Sequence, residues 1–343
     1  MRNHALKYLL IHLMLALPAA AFAQADIHFS QFYETTILRN PALTGIFTDN
    51  YKVEGLYRNQ WSSVTNPYQT FLVDAQYRFS IGKNDFLSVG LLGYSDEAGD
   101  LDQKITAVYP AVNYNKALGV NNYSYLSVGF TGGYIQYSMD PSKATFNNQF
   151  VGGFFNPSNP TYENIPKSQM SVLDIGAGLN FNISPGTSKD ATYMIGVSGY
   201  HFSTPELSYY GNSGVTEDIR WNVNAGLIHT LGEDFILQLH ANFAQQGNYQ
   251  EFIAGGLIGW HTFNPEGPSD FEIYAGLLGR LNDAVIPVVK LKYKNFGIGV
   301  SYDVNVSSLQ PASNMQGGLE VSLSVSGQYP KDRDYKSTVC PRF

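Results

Sequence analysis

The sequence predicts an all-β protein, a transmembrane antiparallel β-barrel of about fourteen strands, and three observations lead there. The chain opens with an export leader. No apolar run of helical-span length follows it. From Tyr51 onward it breaks into alternating segments of about ten residues, separated by clusters of Gly, Asn, Asp and Pro. In lipid every backbone polar group must be paired within the protein, so a closed barrel is the structure left once helical spans are excluded.

The leader has a basic start at Arg2 and Lys7, an apolar stretch from Tyr8 to Leu17, and small residues at Ala21 and Ala23. Residues 1–23 are therefore expected to be a signal peptide cleaved between Ala23 and Gln24. The apolar stretch falls short of the roughly 20 residues that a spanning helix needs. No cysteine stands at the end of the leader, so lipoprotein processing is not expected. Residues 24–50 lack alternation, carry rings at Phe29, Phe32, Tyr33 and Phe47, and turn at Asn40-Pro41 and Thr44-Gly45. Such a segment is too apolar for a free tail, and we expect a plug in the lumen or a lid on its periplasmic mouth.

The barrel is expected over residues 51–327. Its strands centre near Val53, Ala75, Leu91, Val112, Phe130, Gly178, Gly196, Ala225, Leu239, Leu257, Ala275, Val289, Val300 and Leu323. Alternation assigns the faces. Between Phe235 and Phe243 the odd positions are apolar and meet lipid, whereas Gln238, His240 and Asn242 line the lumen. In the last strand Leu319, Val321, Leu323 and Val325 point outward, with Glu320, Ser322 and Ser324 inward. Connections alternate between long and short, as in bacterial barrels with long outer loops and short periplasmic turns. The outer loops fall at 58–67, 95–103, 141–168, 202–218, 245–250, 282–283 and 305–316. Residues 328–343, with Lys331, Asp332, Arg333, Asp334 and Lys336, form a short periplasmic tail, and the lone Cys340 has no partner for an internal disulfide.

Composition agrees with this placement. Charged residues make up only 14% of the chain, which holds 24 Tyr, 21 Phe and 33 Gly, against about 25% charged residues in soluble domains. Outer-membrane lipid is thus the expected partner of the outer surface, in a Gram-negative cell. The formal charge of −7, more negative still once Arg2 and Lys7 leave with the signal peptide, argues against nucleic acid.

Charge on the lumen faces is uneven. Lys52, Glu54 and Arg58 point inward from the first strand, and Asp74 and Arg78 from the second. Glu272, Arg280, Lys290, Lys292, Asp303 and Glu320 do so from the last four. Barrel closure sets these strands side by side, so one wall is charged, while the middle strands offer mainly Ser, Asn, Gly and Asp174. Two readings stand. The wall is a cross-strand network that fixes closure, or a docking wall for the N-terminal segment or a partner peptide. As pairs we expect Lys290 and Lys292 with Asp303, and Glu320 with Lys52 or Arg58.

No metal-ligand set, phosphate-cradling loop or nucleophile elbow occurs at a usable spacing. No cofactor is expected, and no enzyme. His229 and His240 are the residues a barrel hydrolase would have to use.

Several motifs resemble the PorP/SprF family of outer-membrane proteins of the Bacteroidetes type IX secretion and gliding system. They are Phe29-Ser30-Gln31 and Asn40-Pro41-Ala42 near the mature start, and Tyr57-Arg58-Asn59-Gln60-Trp61 in the first strand. At the far end stand Gly317-Gly318-Leu319-Glu320 and the terminal Cys340-Pro341-Arg342-Phe343. Ile27 departs from the family's opening, which often has proline there. The resemblance implies a barrel without chemistry of its own that helps deliver or anchor secreted adhesin-like proteins and contacts the periplasmic machinery. A diffusion or uptake pore is the alternative, because fourteen strands enclose a water-accessible lumen unless a plug fills it.

Overall fold

The computed structural model describes residues 26–328 except 63–65, 82–83, 119–122, 186–189, 212–213, 263–270 and 309–312. The expected cleavage point between Ala23 and Gln24, and the terminal Cys340, Pro341, Arg342 and Phe343, lie outside the described residues. Long strands dominate: β1 (Tyr51–Gln60), β2 (Tyr68–Ile81), β3 (Asp85–Ala98), β4 (Gln103–Leu118) and β5 (Tyr123–Ser138) follow one another. A small hairpin of β6 (Phe150–Val151) and β7 (Phe154–Phe155) interrupts them. Then come β8 (Gln169–Ser184), β9 (Ala191–Tyr200), β10 (Arg220–Leu231), β11 (Phe235–Gln246) and β12 (Tyr249–His261). The series ends with β13 (Phe271–Arg280), β14 (Ala284–Tyr293), β15 (Phe296–Asn305) and β16 (Gln316–Gly327). All except β6 and β7 join in sequence order into one closed antiparallel barrel, in which β1 pairs with β16.

Every strand centre read from the alternation falls inside one of the fourteen barrel strands. The facing also agrees: Leu239 and Leu323 are exposed on the outer wall, while His240, Asn242 and Glu320 are buried inside. Strand ends differ from expectation. Residues 95–98 continue β3 instead of starting a loop, and β4, β5 and β8 each run 16 residues. The reason lies in the outward face, which turns from Leu91 to Ser95 and Glu97 on β3 and from Phe130 and Tyr134 to Gln136 and Ser138 on β5. Past the lipid the hydrophobic contrast fades, but the ladder of backbone hydrogen bonds continues.

Inside the barrel runs the segment from Asp26 to Asn50. It starts at the long-loop end, where the Asp26 backbone N–H donates to Gln246 Oε1 at 3.1 Å. Descending beside β1 and β16, it crosses the lumen at mid-height in a single helical turn, Thr36–Arg39, and a 3-10 turn, Pro41–Leu43. It leaves at the short-turn end, where Asn50 N–H donates to the Gly327 carbonyl at 2.9 Å. Phe29, Phe32, Tyr33, Ile37, Leu43 and Phe47 are all buried. Phe29 and Ile37 pack with Leu56, Leu72, Leu92 and Tyr109 of β1 to β4, whereas Phe32 and Tyr33 pack with Ile253, Leu257, Leu278 and Ile286 of β12 to β14. A cavity of about 10 Å³, room for one water, remains beside Ile27, Ile37 and Tyr109.

Candidate functional site

The charged wall converges on Ser30. Arg58 Nη1 donates to Ser30 Oγ at 2.9 Å and to Glu320 Oε2 at 3.0 Å, and its Nη2 donates to Asp303 Oδ2 at 2.9 Å. Arg280 donates to the same hydroxyl at 2.8 Å, and pairs with Asp303 at 3.1 Å, Asp283 at 2.8 Å and Glu251 at 3.2 Å. Ser30 Oγ in turn donates to Asp303 Oδ1 at 2.5 Å, and the Ser30 and Gln31 backbone N–H groups share the Glu320 carboxylate at 2.8 and 2.7 Å. Gln31 is fixed by Ser322 Oγ, which donates to its Oε1 at 2.7 Å. Arg58, Asp303, Glu320 and Ser30 are all buried. Four strands are thereby tied to one serine. The arrangement holds charge without orphaning it, as burial requires.

Lower in the lumen Glu34 replaces Ser30 as the hub. Lys52 reaches its carboxylate at 3.4 Å and Glu54 at 2.8 Å, and Lys290 also binds Glu34. The pairing expected from sequence is therefore corrected at two places, Lys290 meeting Glu34 and Lys292 meeting Glu272 at 3.4 Å instead of Asp303, while of the two partners expected for Glu320 it is Arg58 that pairs and not Lys52. The physical reason is distance along the strands. Asp303 and Glu320 lie near the outer ends of β15 and β16, whereas Lys52 and Lys290 sit toward the short-turn end, and Glu34 occupies the space between their walls. Asp74 accepts from Gln76 Nε2 at 3.0 Å, and Arg78 donates to the Phe47 carbonyl at 2.7 Å while covering the Phe86 ring.

The opposite wall grips the same segment without charge. Asn40 Oδ1 accepts the Ala42 N–H at 2.9 Å, and its Nδ2 donates to Leu179 O at 3.1 Å and Asn224 Oδ1 at 2.9 Å. Asn113 Nδ2 donates to the Ala42 and Thr44 carbonyls at 2.9 and 2.7 Å. Gly129 lets Pro41 and Ala42 lie directly on β5, where any Cβ would overlap their backbone. The Phe-Ser-Gln and Asn-Pro-Ala motifs are thus the two contact points of the segment with the two walls. Of the first-strand motif, Tyr57 faces lipid, Gln60 lies opposite Gly318, and Trp61 packs edge-on to Tyr68 at 5.1 Å.

A further cluster escaped the sequence reading. At the outer end, Asp26 Oδ2 lies 2.7 Å from His201 Nε2 and 3.3 Å from Arg220 Nη1, and His201 Nδ1 lies 3.1 Å from Asp174 and 3.7 Å from Glu217. Burial would lower the His201 pKa, yet Asp26, Asp174 and Glu217 push it up to about 11. Burial would raise the Asp26 carboxyl, yet His201 and Arg220 hold it far below its ordinary value. Asp26, His201 and Glu217 bring donor atoms within 4.8 Å of one another, the spacing of a metal site. Arg220 already supplies a cation there, so we read the cluster as a latch between the segment and loop 201–219, whose Leu207 and Tyr209 pack on the core below. Sequence held only weak signals of it: Asp174 on an inward position, and Arg220 opening a strand.

The two histidines weighed for hydrolysis do not converge. His240 is buried and stacks on Tyr33 at 5.0 Å. His229, at an odd position of β10 and so on the opposite face, contacts the Asp190 carbonyl at 3.1 Å.

Comparison with known proteins decides the family. The profile of the type IX secretion system membrane protein PorP/SprF family matches residues 21–325. The chain belongs to the PorP/SprF family. As a member it is an outer-membrane β-barrel of the type IX secretion system, in contact with lipid. No curated protein sequence matches. Among solved structures the barrel resembles the toluene transporter TbuX of Ralstonia pickettii, with 10% identity, 86% of this chain and 93% of that one covered, and a TM-score of 0.52. The toluene transporter TodX of Pseudomonas putida also matches, at 10% identity, 85% and 92% coverage and a TM-score of 0.49. At such identity the likeness speaks for the barrel fold alone.

Proposed function

We propose that this PorP/SprF barrel is a docking and anchoring partner for secreted adhesin-like proteins, in contact with the periplasmic machinery, and that the segment 24–50 serves as its permanent plug. The observation that carries the reading is the lumen itself. The segment is held against the walls through Ser30, Glu34 and Asn40, so the barrel offers surfaces to partners and no passage to solutes. Energy for export comes from elsewhere in the apparatus. The charged wall then serves the plug and barrel closure.

Two measurements test this. In planar bilayers the purified barrel should show negligible ion conductance, and cells lacking it should release adhesin-like proteins into the medium or retain them in the periplasm. A steady conductance together with unaltered surface display in the deletion strain would favour the diffusion or uptake pore instead.

A further inference from the structure

The loop between β5 and β8 is ordered by its own polar groups. Buried Gln149 is its hub: the Phe146 N–H donates to Gln149 Oε1 at 2.9 Å, and the Asn156 N–H donates to the Gln149 carbonyl at 3.0 Å. Its Nε2 donates to the Pro157 carbonyl at 3.3 Å. On this frame the β6 and β7 hairpin turns through Gly152 and Gly153, both in the left-handed region at φ 65° and 84°. The hairpin points its large apolar side chains outward. Phe150 is 57% exposed, Val151 64%, Phe154 78% and Phe155 43%, and nearby Tyr162 is 86% exposed. A loop with polar groups inside and rings outside inverts the usual arrangement, and such patches mark interaction sites.

Three facts narrow the occupant. The outward faces of β5 and β8 turn polar at Gln136, Ser138, Gln169 and Ser171 before the loop begins, so the hairpin stands clear of the hydrocarbon. From Ala144 to Tyr162 there is no Asp, Glu, Lys or Arg, so the patch does not offer the cations that an anionic lipopolysaccharide surface would require. The segment 26–50 crosses the lumen from the long-loop end to the short-turn end, so a partner on the outer side meets the loops first.

We propose that the Phe150–Phe155 hairpin, with Tyr162, is the surface that receives the secreted protein, through an uncharged apolar patch on that partner. This rests on the docking reading above and adds to it the place and chemistry of contact. Because the loop is held in shape before binding, little ordering entropy opposes association. Without charge on the hairpin, the contact should be insensitive to salt.

The test uses whole cells of the producing bacterium, with the wild type, a deletion strain, and a strain carrying Val151→Ser with Phe154→Ser. Tyr162→Ser serves as a second variant should the double one assemble poorly. Barrel abundance and heat-modifiable migration should match wild type, while surface retention of the secreted protein falls roughly tenfold or more, as for loss of aromatic anchors. A photoreactive residue at position 154 should crosslink to that same protein, with a yield unchanged by added salt. Normal retention in both variants, with loss in the deletion strain, would overturn the hairpin assignment and leave the docking reading intact. Normal retention in the deletion strain would overturn the docking reading too. Crosslinks confined to a second barrel or to lipopolysaccharide would also overturn the assignment.

Discussion

The two walls of the lumen hold one segment by opposite means. On the closure side, β1 and β13 to β16 grip Ser30, Gln31 and Glu34 with buried guanidinium, ammonium and carboxylate groups. Across the lumen, β4, β5 and β8 to β10 grip Asn40 to Thr44 with amides, carbonyls and a glycine that removes the side chain in the way. Charge tolerates some misplacement but is costly to leave unpaired; close backbone contact costs little when made and tolerates no added atom. The closure side should therefore fail when a partner is deleted, and the far side when an atom is added.

The largest effect is expected at Arg58. Arg58→Ala leaves the buried Glu320 without the cation that pairs it and Asp303 with Arg280 alone, and losing one member of such a pair costs roughly 3–5 kcal/mol. Urea unfolding of the refolded barrel in detergent would measure it. Reversal sharpens the point: Glu320→Lys should be partly rescued by Arg58→Glu and not by Lys52→Glu, because Lys52 pairs with Glu34 and Glu54. Equal rescue by both would mean that general wall charge, not this pairing, sets closure.

Next comes Gly129→Leu on the far wall, where overpacking costs roughly 1–3 kcal/mol. We expect the barrel to fold and the segment to be displaced, so that protease cuts within residues 26–48 of the folded protein. Resistance equal to wild type would break the comparison.

Alkali should loosen the outer end of the segment. His201 is raised from 6.5 to about 11, so its contribution is complete below 6.5 and is lost as pH rises toward 11. Hydrogen exchange should show loop 201–219 opening ahead of the rest of the lumen as pH rises toward 11, and protection there that does not change with pH would refute the assignment. Asn40→Ala removes several hydrogen bonds worth about 0.5–1.5 kcal/mol each, and should speed proteolysis of the segment to a degree comparable with Gly129→Leu.

Much was legible from the residues alone, and the reason is periodicity. Lipid on one side and a polar lumen on the other impose a two-residue repeat, so strand number, facing and the one-sided distribution of charge could be read locally. The ends of β3, β4, β5 and β8 were misjudged because the repeat loses contrast beyond the bilayer while backbone pairing goes on. Ser30 was legible only as part of the Phe-Ser-Gln motif, not as a hub: a serine becomes a hub only when two arginines and two acids from four strands arrive around it.

By itself, then, the sequence determined the barrel, its lipid face, the charged quarter of its wall and its family, because each is written in spacing or in contiguous motifs. Tertiary structure alone decided which charges pair, that Glu34 separates Lys52 and Lys290 from Asp303 and Glu320, and that Asp26 meets His201 and Arg220 about 200 positions away. Such contacts depend on the height at which a non-repeating segment crosses the lumen, and that height follows from the packing of Phe29, Phe32, Tyr33 and Ile37 against six strands or more, not from any local pattern.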